Sequence, residues 1–143
     1  MIVVDASVFV KLFKAEEGSD ASRRLVDHFT DRGEGWCAPT VVLYETLSAA
    51  LHIGHRFETV HRLFDQLKSF GLDMAEPTRP DLALAEKITT TESPGGGYPA
   101  LFDSIYHAMA IERGGTFVTA DDRHIAKAGH HGSVVALADW QPA

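Results

Sequence analysis

The first fourteen residues, Met1–Lys14, read MIVVDASVFVKLFK and contain the pattern that decides the fold. A continuous apolar run, Ile2–Val4, ends directly at Asp5. Such runs are typical of central strands in parallel sheets, because both faces of these strands are buried. Ser7 is predicted to cap a short helix that continues to about Lys14. The segment therefore predicts a buried strand followed at once by a helix.

The rest of the chain repeats this alternation. Further strands are predicted at Trp36–Ala38, Leu72–Met74, Thr116–Thr119 and Val134–Leu137. Helices are predicted over 18–30, from Pro39-Thr40 to Gly54, around 57–67, from Pro80, over 100–113 and after Asp121. This order favours an α/β architecture with a parallel sheet between helices. A length of 143 residues suits one domain, which we expect to span residues 1–143.

The overall charge excludes one class of protein. The chain has 20 acidic and 13 basic residues, for a formal net charge of −7. A protein that coats nucleic acid generally needs a basic surface, so this composition argues against that class. It remains compatible with an enzyme that binds RNA locally, because a catalytic cluster of acids adds negative charge by itself.

Cysteine usage and hydropathy indicate the compartment. Cys37 is the single cysteine, so a disulfide within the chain is impossible and a reducing compartment is expected. The early Asp5 and the absence of a basic lead-in argue against a signal peptide. No apolar run approaches the roughly 20 residues needed to cross a bilayer. We expect a soluble cytoplasmic protein with no membrane partner.

Four acidic residues stand out from the pattern. Asp5 and Asp121 each follow a predicted strand, at the sheet edge where α/β proteins bind ligands. Both have a structural alternative, since Asp is common in turns and at helix N-caps. Asp103, in the first turn of a helix, could simply favour the helix dipole. Glu45 is harder to explain this way, because it lies within the apolar run VVLYETL and burying a lone carboxylate is costly.

The contexts of these acids together carry a family resemblance. They are VVDAS at residues 3–7, LYETLSAAL at 43–51, LFDSIYHAMAIERGG at 101–115 and TFVTADDR at 116–123. In this order the chain resembles the PIN domain, and most closely the VapC-like toxin ribonucleases. The resemblance extends from Ile2 to about Leu137. It implies an α/β/α sandwich with a central, mainly parallel sheet.

The same resemblance implies a catalytic site. The matching positions form an acidic pocket of Asp5, Glu45, Asp103 and Asp121. Asp5, Asp103 and Asp121 would hold Mg²⁺ or Mn²⁺, while Glu45 would be a ligand or would orient the attacking water. Ser7 and Thr119 match small polar positions beside the acids. Asp122 could share or replace the role of Asp121, although the Thr-x-Asp pattern favours Asp121.

The proposed chemistry follows from the residue types. Carboxylates held close together repel one another, so a cation would stabilise all of them in the ionised form. Oxygen ligands suit Mg²⁺ or Mn²⁺, whereas zinc usually takes nitrogen or sulfur. A bound cation could activate water for attack on an RNA phosphodiester. The histidine pairs His52/His55 and His130-His131 offer no closed ligand set at structural-zinc spacing.

The resemblance implies a structured RNA substrate of the tRNA or rRNA class, a cognate antitoxin and a homodimer. Five basic residues are predicted near the pocket, where they could steer phosphates or be ordinary surface charges: Lys11, Lys14, Arg113, Arg123 and Lys127. Tyr98 and Tyr106 are candidates for stacking on bases.

The alternative functions are a catalytically silent module of the same fold and a metal-dependent phosphohydrolase. For the latter, Asp5-Ala6-Ser7 lacks the paired Asp-x-Asp of the haloacid-dehalogenase type.

Overall fold

Five parallel strands form the central sheet, in the order β3-β2-β1-β4-β5. They are β1 Ile2–Val4, β2 Trp36–Pro39, β3 Asp73–Ala75, β4 Thr116–Thr119 and β5 Val134–Ala136. In this computed structural model, which describes residues 1–143, β1 lies between β2 and β4 and is fully buried. The apolar run at the start of the chain therefore forms the central strand, as predicted.

Seven α-helices connect and cover the strands. They are α1 Ala6–Val10, α2 Ser19–Arg32, α3 Val41–His52, α4 Phe57–Ser69, α5 Arg79–Thr89, α6 Leu101–Glu112 and α7 Asp122–Ala128. Short 3₁₀ turns follow at Gly129–His131 and Leu137–Asp139. The predicted alternation of strands and helices is confirmed. None of the helices combines the length and apolarity needed to cross a bilayer.

The side chains of the strands show that helices cover both faces of the sheet. Trp36 packs against Phe9 of α1, with ring centroids 6.4 Å apart. Phe117 stacks on Tyr106 of α6 at 5.8 Å. Cys37 and Phe117 both align with the same residue of β1, so they project from one face, whereas Trp36 projects from the other. The three-layer α/β/α sandwich is therefore confirmed.

The start of α1 differs from the prediction. The helix begins at Ala6 and ends at Val10, and Asp5 occupies the N-cap position. The prediction that Ser7 caps this helix is wrong, because its hydroxyl donates a hydrogen bond to the side chain of Asp5 at 2.8 Å. Ser7 therefore supports the acid that ends β1.

Large apolar side chains of α3 are partly exposed, and smaller ones form its buried face. Tyr44 and Leu51 are 66% and 53% exposed. The buried residues of α3 are Val42, Thr46 and Ala50. Small side chains let this helix pack closely on its neighbours, and Glu45 lies at the border between its buried and exposed faces.

Candidate active site

Asp5 is fixed by the register of the two central strands. Val4 aligns with Val118, which brings Asp5 beside Thr119. The Thr119 hydroxyl donates to Asp5 Oδ2 at 2.6 Å, and the Ser7 hydroxyl donates to the same oxygen at 2.8 Å. Asp5 is only 4% exposed. Burial raises the pKa of this carboxyl, although the hydrogen bonds from Thr119 and Ser7 oppose the shift.

Asp121 is tied to Asp5 through Thr119. The backbone N–H of Asp121 donates to Thr119 Oγ1 at 3.0 Å, so one hydroxyl links the two acidic residues. Asp121 is also the N-cap of α7, because its Oδ1 accepts a hydrogen bond from the backbone N–H of Arg123 at 2.9 Å. The capping role expected from its position is therefore present. It leaves the carboxylate just beyond the carboxyl end of β4, on the cleft that Asp103 also borders.

Glu45 reaches the site from α3 and is held by a tyrosine of α6. The Tyr106 hydroxyl donates to Glu45 Oε1 at 2.5 Å. Burial raises the pKa of Glu45, and the charge of Asp5 raises it further. Burial and the neighbouring Glu45 also raise the pKa of Tyr106, which therefore remains protonated and a donor. Tyr106 is completely buried, so it cannot stack on a base as one sequence interpretation suggested.

Asp103 completes the group from the first turn of α6. It borders a cleft of about 270 Å³ that is lined by Pro99, Ala100, Asp103, Asp121, Arg123, His124 and Lys127. Burial, together with the negative charges of Asp5, Asp121 and Glu45, raises the pKa of Asp103 to about 7. The structure thus places the other three sequence-predicted carboxylates within electrostatic range of Asp103.

This donor set is compatible with a hard divalent cation. Carboxylates held close together repel one another, and Mg²⁺ or Mn²⁺ would stabilise their ionised forms. No three acidic, histidine or cysteine side chains are arranged to hold one metal ion by themselves. Mg²⁺ characteristically keeps several water ligands and binds proteins through one or two carboxylates. The chemistry of the donors therefore fits an ion that is partly ligated by water.

Positive charge surrounds the cleft at fewer positions than predicted. Arg123 and Lys127 line it. Lys11 and Lys14 instead lie within 4.0 Å of Glu16, outside this cleft. The prediction that Arg113 approaches the pocket is wrong, because its guanidinium pairs with buried Asp81. Tyr98 is 54% exposed, and its carbonyl accepts a hydrogen bond from Lys127.

Asp121 and Asp122 differ clearly in their surroundings. Asp121 faces the acidic cleft, where it raises the pKa of Asp103. Asp122 is exposed and borders a separate cleft beside Lys11 and Gly18. The structure therefore brings Asp121 together with Asp103 and leaves Asp122 outside this cleft.

Sequence reasoning missed two histidines at the site. His124 lines the acidic cleft, and His107 lies against His124. Their spacing carried a usable signal, since His107 is four residues after Asp103 and His124 is three after Asp121. Residues at these separations share one face of a helix.

The raised pKa of Asp103 predicts how the metal-free protein responds to pH. A carboxyl whose pKa is higher in the folded state than its ordinary value of 3.8 destabilises the fold as pH rises from about 4 to about 7. We therefore expect Asp103→Asn to raise the Tm of the metal-free protein at pH 8 by on the order of 5 °C, with a smaller effect at pH 5. Mg²⁺ should stabilise the wild type more at pH 8 than at pH 5.

Differential scanning calorimetry at the two pH values checks this expectation. Asp27→Asn is the matched control, because Asp27 is an exposed acid on α2. An Asp103→Asn protein that is less stable than wild type at pH 8 would contradict the repulsion inferred for the cluster.

Comparisons with known proteins agree with this architecture. The family model described as PIN domain matches residues 2–130. No curated protein matches the chain. Among solved structures, a chain from the structure of FitAB bound to an IR36 DNA fragment has a TM-score of 0.72 at 15% identity, and the match covers 99% of each chain.

Two further structures share the fold. A chain of FitAcB from Neisseria gonorrhoeae has a TM-score of 0.69 at 14% identity, with 98% of this chain and 100% of that chain covered. VapC20 of Mycobacterium tuberculosis, described as a toxin that cleaves the sarcin-ricin loop, has a TM-score of 0.63 at 16% identity. That match covers 80% of this chain and 84% of VapC20. At such identities the similarity establishes the fold alone.

Proposed function

Since the chain belongs to the PIN domain family, we propose that it is a metal-dependent endoribonuclease and the toxin of a toxin–antitoxin pair. The observation that carries this proposal is the group of four interacting carboxylates, Asp5, Glu45, Asp103 and Asp121, at one edge of the sheet. A merely structural cluster would be expected to pair its acids with basic side chains. Instead, Asp5 and Glu45 accept their side-chain hydrogen bonds from neutral hydroxyls. The only ion pair of the group joins Asp121 to the highly exposed Arg123 at 3.8 Å.

The four acids have different roles in the proposed mechanism. Asp5, Asp103 and Asp121 would hold Mg²⁺ or Mn²⁺, directly or through water. The cation, when bound, supplies a water of lowered pKa and offsets charge on the phosphate. Glu45, fixed by the Tyr106 hydroxyl, orients the attacking water or contributes a further oxygen ligand. Thr119 and Ser7 hold the carboxyl group of Asp5 in place by their hydrogen bonds to it.

The substrate would approach from the rim of the cleft. Arg123 and Lys127 lie beside Asp103 and Asp121, so they can pair with phosphates that flank the cleaved bond. Such contacts orient the backbone of the RNA without reading its sequence. We propose a structured RNA of the tRNA or rRNA class as the substrate. VapC20, which shares the fold, is described as acting on the sarcin-ricin loop.

An antitoxin partner is supported by the structures with this fold. One of them is described as a toxin–antitoxin complex from Klebsiella pneumoniae, with a TM-score of 0.63 at 13% identity. A basic side chain of such a partner would neutralise the carboxylate cluster and exclude the metal ion. We further propose that the protein acts in the cytoplasm and forms a homodimer, as expected for this family.

Comparison of two adjacent acids tests the proposed site. Purified Asp121→Asn should cleave RNA at least about 100-fold more slowly than wild type in Mg²⁺ or Mn²⁺, because it removes a carboxylate from the cleft. Asp122→Asn is the matched control and should cleave at nearly the wild-type rate. Cleavage is measured on folded RNA, with chelator added to one arm of each assay. Equal losses in the two variants, or chelator-resistant cleavage, would contradict the assignment.

A further inference from the structure

Two buried histidines lie directly behind the acids of the cleft. His107 of α6 is completely buried, and His124 of α7 is 3% exposed. His107 shares a helix with Asp103, and His124 belongs to the helix that Asp121 caps. Each histidine therefore lies about one helical turn from one of the proposed metal ligands.

The two rings form a hydrogen-bonded chain whose proton positions can be deduced. His107 Nε2 lies 2.6 Å from the carbonyl oxygen of Gly132, which can only accept, so this nitrogen carries a proton. Burial lowers the pKa of both rings, and that of His124 to about 4, so both are neutral at pH 7. A neutral imidazole has one N–H, which makes His107 Nδ1 an acceptor. His124 Nε2 therefore donates to His107 Nδ1, 3.0 Å away.

The hydrogen bond between the two rings is the only one that joins α6 to α7. Phe117 of β4 packs against both rings, with centroids 5.8 Å from His107 and 5.6 Å from His124. β4 is the strand that leads to Asp121. The rings are thus held between the strand and the two helices that carry Asp103 and Asp121.

We propose that His124 and His107 form a hydrogen-bonded histidine brace that sets the position of Asp121 relative to Asp103. The inference rests on the proposed function, in which these two carboxylates hold the cation. His124 acts through Asp121 and is a positioning residue. It fixes the spacing of the carboxylates and takes no part in the reaction itself.

The cost of the brace argues against a purely stabilising role. His124 Nδ1 is buried without a hydrogen-bond partner. A buried polar atom in this state costs free energy, and apolar residues of similar size in place of both rings would avoid that cost. Stability alone would therefore favour apolar residues at these positions, whereas a fixed separation of the two helix ends requires the directional hydrogen bond.

Variants of His124 test the brace. His124→Leu removes the donor at similar volume, while His124→Gln retains an amide N–H that can donate to His107. Mn²⁺ binding to the RNA-free protein is measured by titration calorimetry, together with the Tm and the kcat for RNA cleavage. We expect His124→Leu to lose about 10-fold or more in Mn²⁺ affinity with a similar drop in kcat and little change in Tm. His124→Gln should remain near wild type.

Controls separate positioning from stability. Ile88→Val, in the buried core of α5, should lower the Tm slightly without changing Mn²⁺ affinity. Wild-type Mn²⁺ affinity and kcat in His124→Leu would overturn the proposal. His107→Leu, which removes the acceptor, replaces His124→Leu if that variant does not fold. Failure of both to fold would show that the pair is needed for stability, and would also overturn the proposal.

Crystal structures test the brace independently of the proposed function. The separation of the Asp103 and Asp121 carboxyl groups should increase or become variable in His124→Leu and remain as in wild type in His124→Gln. An unchanged separation in His124→Leu would overturn the brace even if the protein is a nuclease. A wild-type protein that neither binds Mn²⁺ nor cleaves RNA would overturn the proposed function. The crystal structures of the His124 variants would still show whether the two histidines position Asp121.

Discussion

Replacement of Asp5 with asparagine is expected to lower metal-dependent RNA cleavage by at least about 100-fold. Asp5 has the deepest position of the four acids and lies at the junction of β1 and β4. Asparagine has the same shape and can still accept from Thr119 and Ser7, but it carries no charge to attract a cation. Because burial already disfavours the ionised form of Asp5, the neutral variant should be at least as stable as wild type.

Cleavage rates and Tm values measured on the same preparations check both parts of this prediction. Asp27→Asn, on the exposed face of α2, should change neither quantity. A loss of activity that accompanies a large fall in Tm would point to unfolding. Cleavage by Asp5→Asn at the wild-type rate would exclude Asp5 from the reaction.

The largest effect on stability is expected from Arg113→Met. Arg113 forms two hydrogen bonds with Asp81, from Nη1 to Oδ1 at 2.9 Å and from Nη2 to Oδ2 at 3.2 Å. Asp81 is 1% exposed, and the backbone N–H of Thr78 also donates to it. Removal of the guanidinium leaves a buried carboxylate without its countercharge. We expect a loss of about 3 kcal/mol in the free energy of unfolding, which lowers the Tm by roughly 10 °C.

Chemical denaturation and thermal unfolding at neutral pH measure this loss. Arg24→Met, an exposed arginine of α2 without an ion pair, is the control. The kcat of folded Arg113→Met should stay near wild type below its Tm, because Arg113 lies away from the acidic cleft. A variant that keeps its stability but loses activity would restore the original prediction that Arg113 belongs to the pocket.

The contrast between Arg113 and Asp103 shows what helix geometry alone could have predicted. They are ten residues apart on one helix, so a rise of 1.5 Å per residue separates them by about 15 Å. Asp103 lies near the N-terminal end of α6 and Arg113 at its C-cap. The two residues could not both face a small cleft, and the sequence held enough information to exclude Arg113.

Other features followed from local patterns. A continuous apolar run predicted the central strand. The positions of Asp5 and Asp121 directly after strands predicted that both would lie at the carboxyl ends of the parallel strands. The parallel register then brings Thr119 beside Asp5. These features were predictable because strand burial and strand direction depend on short stretches of sequence.

The hydrogen-bond partners at the site were not predictable from local pattern. Ser7 was expected to cap α1, but the hydroxyl also accepts a hydrogen bond from the backbone N–H of Ala120, which is 113 residues away in sequence. The contacts of Tyr106 with Glu45 and of His107 with His124 similarly join different helices. Such contacts depend on how helices pack over the sheet, and helical periodicity identifies a shared face without identifying its partner.

Mapping of RNA 5′ ends after expression of the protein tests the central claim most directly. Wild type and Asp5→Asn are expressed separately in a host without an antitoxin, and total RNA is sequenced from its 5′ ends. A metal-dependent toxin ribonuclease should arrest growth and produce new ends at one or a few sites in structured RNA, and Asp5→Asn should produce neither effect. Identical cleavage by the two proteins, or no new ends with either, would contradict the assignment of this acidic cleft as a nuclease site.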